Sequence, residues 1–174
     1  MDELKGKAVA VLVEQGFEDL ELWYPILRLR EAGAVVDIVG TGSAEEYQGY
    51  HGLVCRPNKT IAQVKPEDYD GVVIPGGWAP DRLRRYGGIL DFVRAVHDAG
   101  KPAAAICHGP SVLISAGVLR DRTATCVVAI KDDVENAGAK YVDRPVVADG
   151  KLITSRKPDD LPDFCRYLIA ALAG

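Results

Sequence analysis

Four short apolar runs dominate the chain: "KAVAVLV" at residues 7–13, "AVVDIVG" at 34–40, "DGVVIPGG" at 70–77 and "AAAIC" at 103–107. Runs of this length bounded by turn residues fit strands buried on both faces. Two of the stretches between them have helical spacing. Leu20, Leu22, Trp23, Ile26, Leu27 and Leu29 recur at that spacing from Glu18 to Ala32, with "EAG" as the stop and Pro25 predicting a kink. Ile89, Leu90, Phe92, Val93 and Val96 line one side of residues 87–100. Strands that alternate with helices need a mostly parallel sheet covered by helices on both faces, so the fold class is α/β.

The remaining segments are less regular. Residues 41–66 carry scattered glycines and no helical period, which predicts a short hairpin or an extended excursion. Beyond residue 107, "HGPSVLISAGVL" suits a helix start with its early proline. "TATCVV", "YVDRPVVADGKLITS" and "PDDLPDFCRYLIAALAG" predict two or three further strands, an Asp-Gly turn and a C-terminal helix. At 174 residues, with 48% hydrophobic and 26% charged residues, one domain over residues 1–174 is expected, with no tail or linker.

The same composition excludes several functions. A net charge of −4 and one short basic run, in which Arg82, Arg84 and Arg85 read as a solvated helix face, argue against a nucleic-acid partner. The N-terminal "MDELKGKAVAVLVEQG" fits neither a signal peptide nor a membrane span, so a cytoplasmic protein without a membrane partner is expected. His51, His97 and His108 are dispersed and Asp132-Asp133 reads as a short helix start, so no metal site is predicted. His97, late in its helix, suits a favourable dipole contact. No nucleotide-binding fingerprint is present, and no cofactor is expected.

Cys55, Cys107, Cys126 and Cys165 are widely spaced and read as free thiols in a reducing compartment. Cys126 and Cys165 lie inside apolar patterns and read as buried, while Cys55 precedes Arg56-Pro57 in a loop-like region. Cys107 differs, because it ends a buried strand and enters "HGPS". In open α/β sheets, reactive groups gather at the carboxyl ends of strands, and an abrupt strand-to-helix turn presents a nucleophile. The start of the following helix is expected to lower the thiol pKa. His108 is the adjacent candidate base, although a histidine at a strand end is more often structural.

"EQGFEDLELWYP", "VVIPGGWAPDRLRR", "AAAICHGPSVLISAGVLRDRTATC" and "IKDDVENAGAKYVDRPVVADGKLITSRKPDDLPDF" closely resemble the PfpI family of intracellular cysteine hydrolases. That family lies within the ThiJ superfamily and the class I glutamine amidotransferase-like fold. The resemblance covers nearly the whole chain and implies a flavodoxin-like three-layer sandwich. It implies that Cys107 is the nucleophile and His108 its base, with Asp81, where some relatives carry Glu, completing the triad from a neighbouring subunit. A homo-oligomer, dimer to hexamer, follows from that pattern.

Taken by itself, Glu18 reads as a helix-start carboxylate favoured by the dipole. The resemblance instead places Glu18 beside the sulfur, where a protonated carboxyl could donate a hydrogen bond and shuttle a proton. The amides of Gly76, Gly77 and His108 are candidates for an oxyanion hole. A phosphate-binding role for the Pro-Gly-Gly turn is disfavoured without a P-loop pattern. Trp78 suits either a pocket wall or an interface.

The function expected is a cysteine-dependent hydrolase acting on a peptide or on a small reactive carbonyl, as a peptidase or as a deglycase or glyoxalase-type enzyme. The alternative is a stress-response redox sensor or chaperone in which Cys107 is oxidised. A base beside the sulfur distinguishes them, since a hydrolase benefits from one and a sensor does not require it. A glutamine amidotransferase subunit is disfavoured, because so short a chain carries no synthase domain.

Overall fold

The computed structural model describes residues 3–174. Its first strand, β1 (Ala8–Val13), is buried along nearly its whole length. α1 (Asp19–Glu31) leads to β2 (Val35–Gly40), which pairs parallel to β1 from Ala8–Val35 to Val13–Gly40. The expected kink site, Pro25, is buried inside α1, which continues as one helix. Next come β3 (Tyr47–Gln48) and β4 (Val54–Cys55), an antiparallel pair forming the predicted hairpin. Cys55 is therefore a fully buried strand residue and not part of a loop. β5 (Lys59–Thr60) then joins β2 at the sheet edge, a strand too short to leave a period in the sequence.

β6 (Gly71–Ile74), α2 (Ala79–Leu83) and α3 (Gly87–Asp98) precede β7 (Ala103–Ile106) and α4 (Pro110–Ala116). Arg82 and Arg85 are exposed as expected, whereas Arg84 is half-buried and donates from Nε to Ser115 Oγ at 2.9 Å. His97 lies in the last turn of α3, with Nδ1 3.2 Å from Asp98 Oδ1. β8 (Thr123–Ala124), α5 (Lys131–Asn136) and β9 (Lys140–Tyr141) form a small excursion. β10 (Val146–Asp149) and β11 (Leu152–Ser155) make a hairpin at the Asp149-Gly150 turn, and α6 (Leu161–Ala173) closes the chain.

The central sheet has the order β10-β11-β7-β6-β1-β2-β5, and only β10 runs antiparallel to its neighbour. It is a flavodoxin-like α/β fold, as expected. From β1 the chain moves first to β2 on one side and later to β6 on the other. The loops after β1 and β6 therefore part there, opening a crevice at the carboxyl ends of the strands. No helix among the described residues is long and apolar enough to cross a membrane.

Candidate active site

The crevice is bridged by backbone. Phe17 pairs antiparallel with Gly77, Trp78 N donates to Gly16 O at 2.7 Å, and Glu18 N donates to Gly76 O at 3.1 Å. Gly77 has φ +76°, and a Cβ there would lie 2.5 Å from both Glu18 N and Gly16 O. Only glycine allows this approach.

One strand away, Cys107 follows β7 in the left-handed region, with φ 62°. That conformation is costly for a residue with a Cβ and persists only where the surroundings hold it. Three backbone bonds do so: Cys107 N to Ser155 O at 3.0 Å, Val127 N to Cys107 O at 3.1 Å, and Gly109 N to Ile106 O at 2.8 Å. A Cβ at Gly109 would come within 2.4 Å of Ile74 O, so the turn also depends on that glycine.

The half-buried sulfur of Cys107 meets three kinds of group. His108 Nδ1 lies 3.4 Å away, and the backbone amides of Gly77 and His108 favour the thiolate. The third is the carboxyl of Glu21, which is fully buried and accepts from Gly76 N at 2.8 Å through Oε2. Its other oxygen, Oε1, is buried without a hydrogen-bond partner, and the charge of the carboxyl acts on the Cys107 thiol. Burial, and then the charge of Glu18, push Glu21 up to about 8, against the pull of the Gly76 amide. Glu21 is thus a neutral acid near neutral pH, with a proton to give to the sulfur.

The Cys107 thiol is itself pushed up to about 12, first by burial and then by the charge of Glu21, while the Gly77 and His108 amides pull it down. The expected lowering by a helix start is corrected here. α4 has seven residues and begins only at Pro110, and burial is the largest influence on the thiol. His108 is lowered by burial, partly offset by Asp81, and so is suited to accept a proton. Once Glu21 is protonated, its repulsion of a thiolate disappears and it can donate to one instead.

Two assignments need correction. Glu18 does not contact the sulfur: it is the N-cap of α1, with Oε2 accepting from Glu21 N at 2.8 Å and Oε1 lying 3.5 Å from His51 Nε2. In a capping box, the carboxyl at the third helical position reaches back to the cap's amide. Here Gly76 O already takes that amide, and the third-position carboxyl, Glu21, takes Gly76 N. Gly76 is likewise removed from the oxyanion donors, because its amide is bound to Glu21, leaving Gly77 and His108 facing the sulfur.

Asp81 lies exposed in the first turn of α2, and its charge acts on His108. Trp78, 58% exposed, tilts against the His108 ring with centroids 6.0 Å apart. Glu21 and His51 had no assigned role in the sequence. The position of Glu21, three residues after a cap, was the available signal. Among the described residues no group of three or more His, Cys, Asp and Glu is placed to hold a metal.

A family model described as the DJ-1/PfpI family matches residues 7–171. A protein of Archaeoglobus fulgidus is 51% identical over 164 residues, covering 94% of this chain and 97% of its own. Deglycase PfpI of Pyrococcus furiosus is 42% identical over 156 residues, covering 90% of this chain and 93% of its own. Among solved structures, Drosophila melanogaster DJ-1beta aligns with a TM-score of 0.90 at 32% identity, over 97% of this chain and 91% of that one. A two-domain protein of Anabaena variabilis, with DJ-1/ThiJ/PfpI-like and ferritin-like domains, aligns with a TM-score of 0.93 at 43% identity. That match covers 95% of this chain and 48% of the two-domain protein, so the chain spans about half its length.

Proposed function

The chain belongs to the DJ-1/PfpI family, and from that footing we propose that it is a cysteine-dependent hydrolase of small reactive carbonyls and their adducts, working by deglycase or glyoxalase-type chemistry. The observation that carries the proposal is the left-handed turn at Cys107, which brings one sulfur against a buried acid, a neutral imidazole and two amides. The deglycase name of the Pyrococcus furiosus relative supports the same direction.

In this mechanism the sulfur adds to an aldehyde carbon as its proton passes to His108 Nδ1. The C=O π bond becomes a C–O bond whose developing charge is received by the amides of Gly77 and His108. With a 2-oxoaldehyde as substrate, Glu21 gives its proton to the oxygen of the neighbouring carbonyl and takes the proton of the sulfur-bearing carbon. Returned to the second carbon, that proton leaves a 2-hydroxy thioester, whose C–S bond water then cleaves. This releases the product and restores the thiol. Asp81 of α2, whose charge acts on His108, orients the imidazole.

A small carbonyl is favoured over an extended peptide because the sulfur is half-buried beside the Trp78–His108 wall. The test is methylglyoxal consumption by wild type and Cys107→Ser, with casein digestion in parallel. Loss of aldehyde that depends on Cys107, without casein cleavage, is expected. Cys107-dependent casein cleavage alone would establish a peptidase, and silence in both assays would shift the account to a redox sensor or chaperone.

A further inference from the structure

Three carboxylates crowd the first turn of α1, and each is placed differently. Asp19 is buried and accepts from the backbone amides of His51 and Leu53, both at 2.8 Å, which pins the tip of the β3–β4 hairpin to the helix. Glu21 enters the site. Glu18 stands between them, holding the Glu21 amide through Oε2 and facing the His51 ring through Oε1. Its own amide is tied to Gly76 O, in the turn that aims at the sulfur. The Glu18 side chain is 12% exposed, so its charge is poorly screened, whereas the facing His51 side chain is 62% exposed.

We propose that Glu18, with His51 facing its other oxygen, is a positioning residue whose negative charge biases the Cys107–Glu21 pair towards holding its proton on the carboxyl, favouring charge on the sulfur. The inference rests on Cys107 being the reactive group of the proposed function. When the pair holds one proton, that proton can sit on sulfur or on oxygen, and the two arrangements titrate as one system. Glu18 bears on Glu21, while the leading charge on the sulfur is that of Glu21 itself. A fixed negative charge at Glu18 therefore disfavours a second carboxylate more than it disfavours a thiolate.

The surrounding groups are few. Glu21 faces Glu18 on its own helix, the Gly76 amide of the β6–α2 turn, and Cys107 of the β7–α4 turn. His108, beside the sulfur, faces Asp81 of α2. His51, on the hairpin, faces Glu18 and the edge of the Tyr50 ring, with Asp19 bound to its backbone. A positive charge placed beside Glu18 Oε1 from the hairpin offsets the charge of Glu18 and so weakens its bias on the pair.

The test is the rate of Cys107 alkylation by iodoacetamide, read by peptide mass spectrometry across neutral pH. It compares wild type with Glu18→Gln and His51→Lys, each also made in a Glu21→Gln background. Both single substitutions cancel the charge at Glu18 from different elements. Each is expected to slow alkylation near neutral pH by about three- to tenfold, the equivalent of half to one pKa unit. Neither should have an effect once Glu21 is Gln. Unchanged rates in both, or equal slowing in the Glu21→Gln background, would overturn the inference. Slowing by Glu18→Gln alone would reduce Glu18 to a helix cap and overturn it equally. If Glu18→Gln fails to fold, His51→Lys, which leaves the cap intact, decides the matter. Because no aldehyde is used, loss of turnover with this alkylation pattern intact would break the proposed function and spare the inference.

Discussion

Cys107 and Cys165 make an instructive pair, since burial pushes both thiols up to about 12. Cys165 lies in α6 and is 1% exposed within the core cluster. Cys107 is half-buried on a left-handed turn, with an acid, an imidazole and two amides at the sulfur. Burial acts on both thiols in the same direction, and the groups around the two sulfurs differ. In the proposed function, the reactivity of Cys107 draws on its surrounding groups and on a backbone held in a costly conformation.

The largest effect should come from Cys107→Ser, which is expected to lower aldehyde consumption by about a thousandfold or more while the protein melts as wild type does. Equal loss from Cys165→Ser would erase the contrast.

A sharper test uses the pH dependence of stability. Glu21 rises in the fold from 4.5 to about 8, so between those values the folded protein retains a proton that the unfolded chain has released. Stability is full below pH 4.5 and falls as pH rises towards 8, by on the order of 3–5 kcal/mol. Denaturant melts of Glu21→Gln at several pH values should lack that slope, and a slope equal to wild type would contradict the buried-acid assignment. The smallest effect belongs to Cys165→Ala, expected to cost about 1 kcal/mol of stability through a small cavity and to leave activity unchanged.

Much of the fold could be read from hydrophobic period. The runs at 7–13, 34–40, 70–77 and 103–107 became β1, β2, β6 and β7 because strands buried on both faces are continuously apolar. β5, β8 and β9 have two residues each, too few for a period, and they form through pairing with distant strands. The turn at Cys107 was equally legible, since a strand that runs into Cys-His-Gly-Pro must bend there.

The acid was harder to assign. Glu18, Asp19 and Glu21 share one helical turn, and a one-dimensional pattern cannot say which carboxyl points into the crevice. The answer lies in Gly76, fifty-five residues from Glu21, whose carbonyl takes the cap's amide and whose amide takes Glu21. The same long-range bond removed Gly76 from the oxyanion donors. Residues brought together by crossovers leave no local trace, and for that reason His51 also went unassigned.

The measurement closest to the central claim is brief alkylation of the native protein with limiting iodoacetamide, with all four cysteine peptides quantified and methylglyoxal consumption assayed on the same samples. The account predicts label at Cys107 while Cys55, Cys126 and Cys165 stay unlabelled, with activity lost in proportion to that label. Activity that survives complete labelling of Cys107, or label spread evenly over the four thiols, would contradict it.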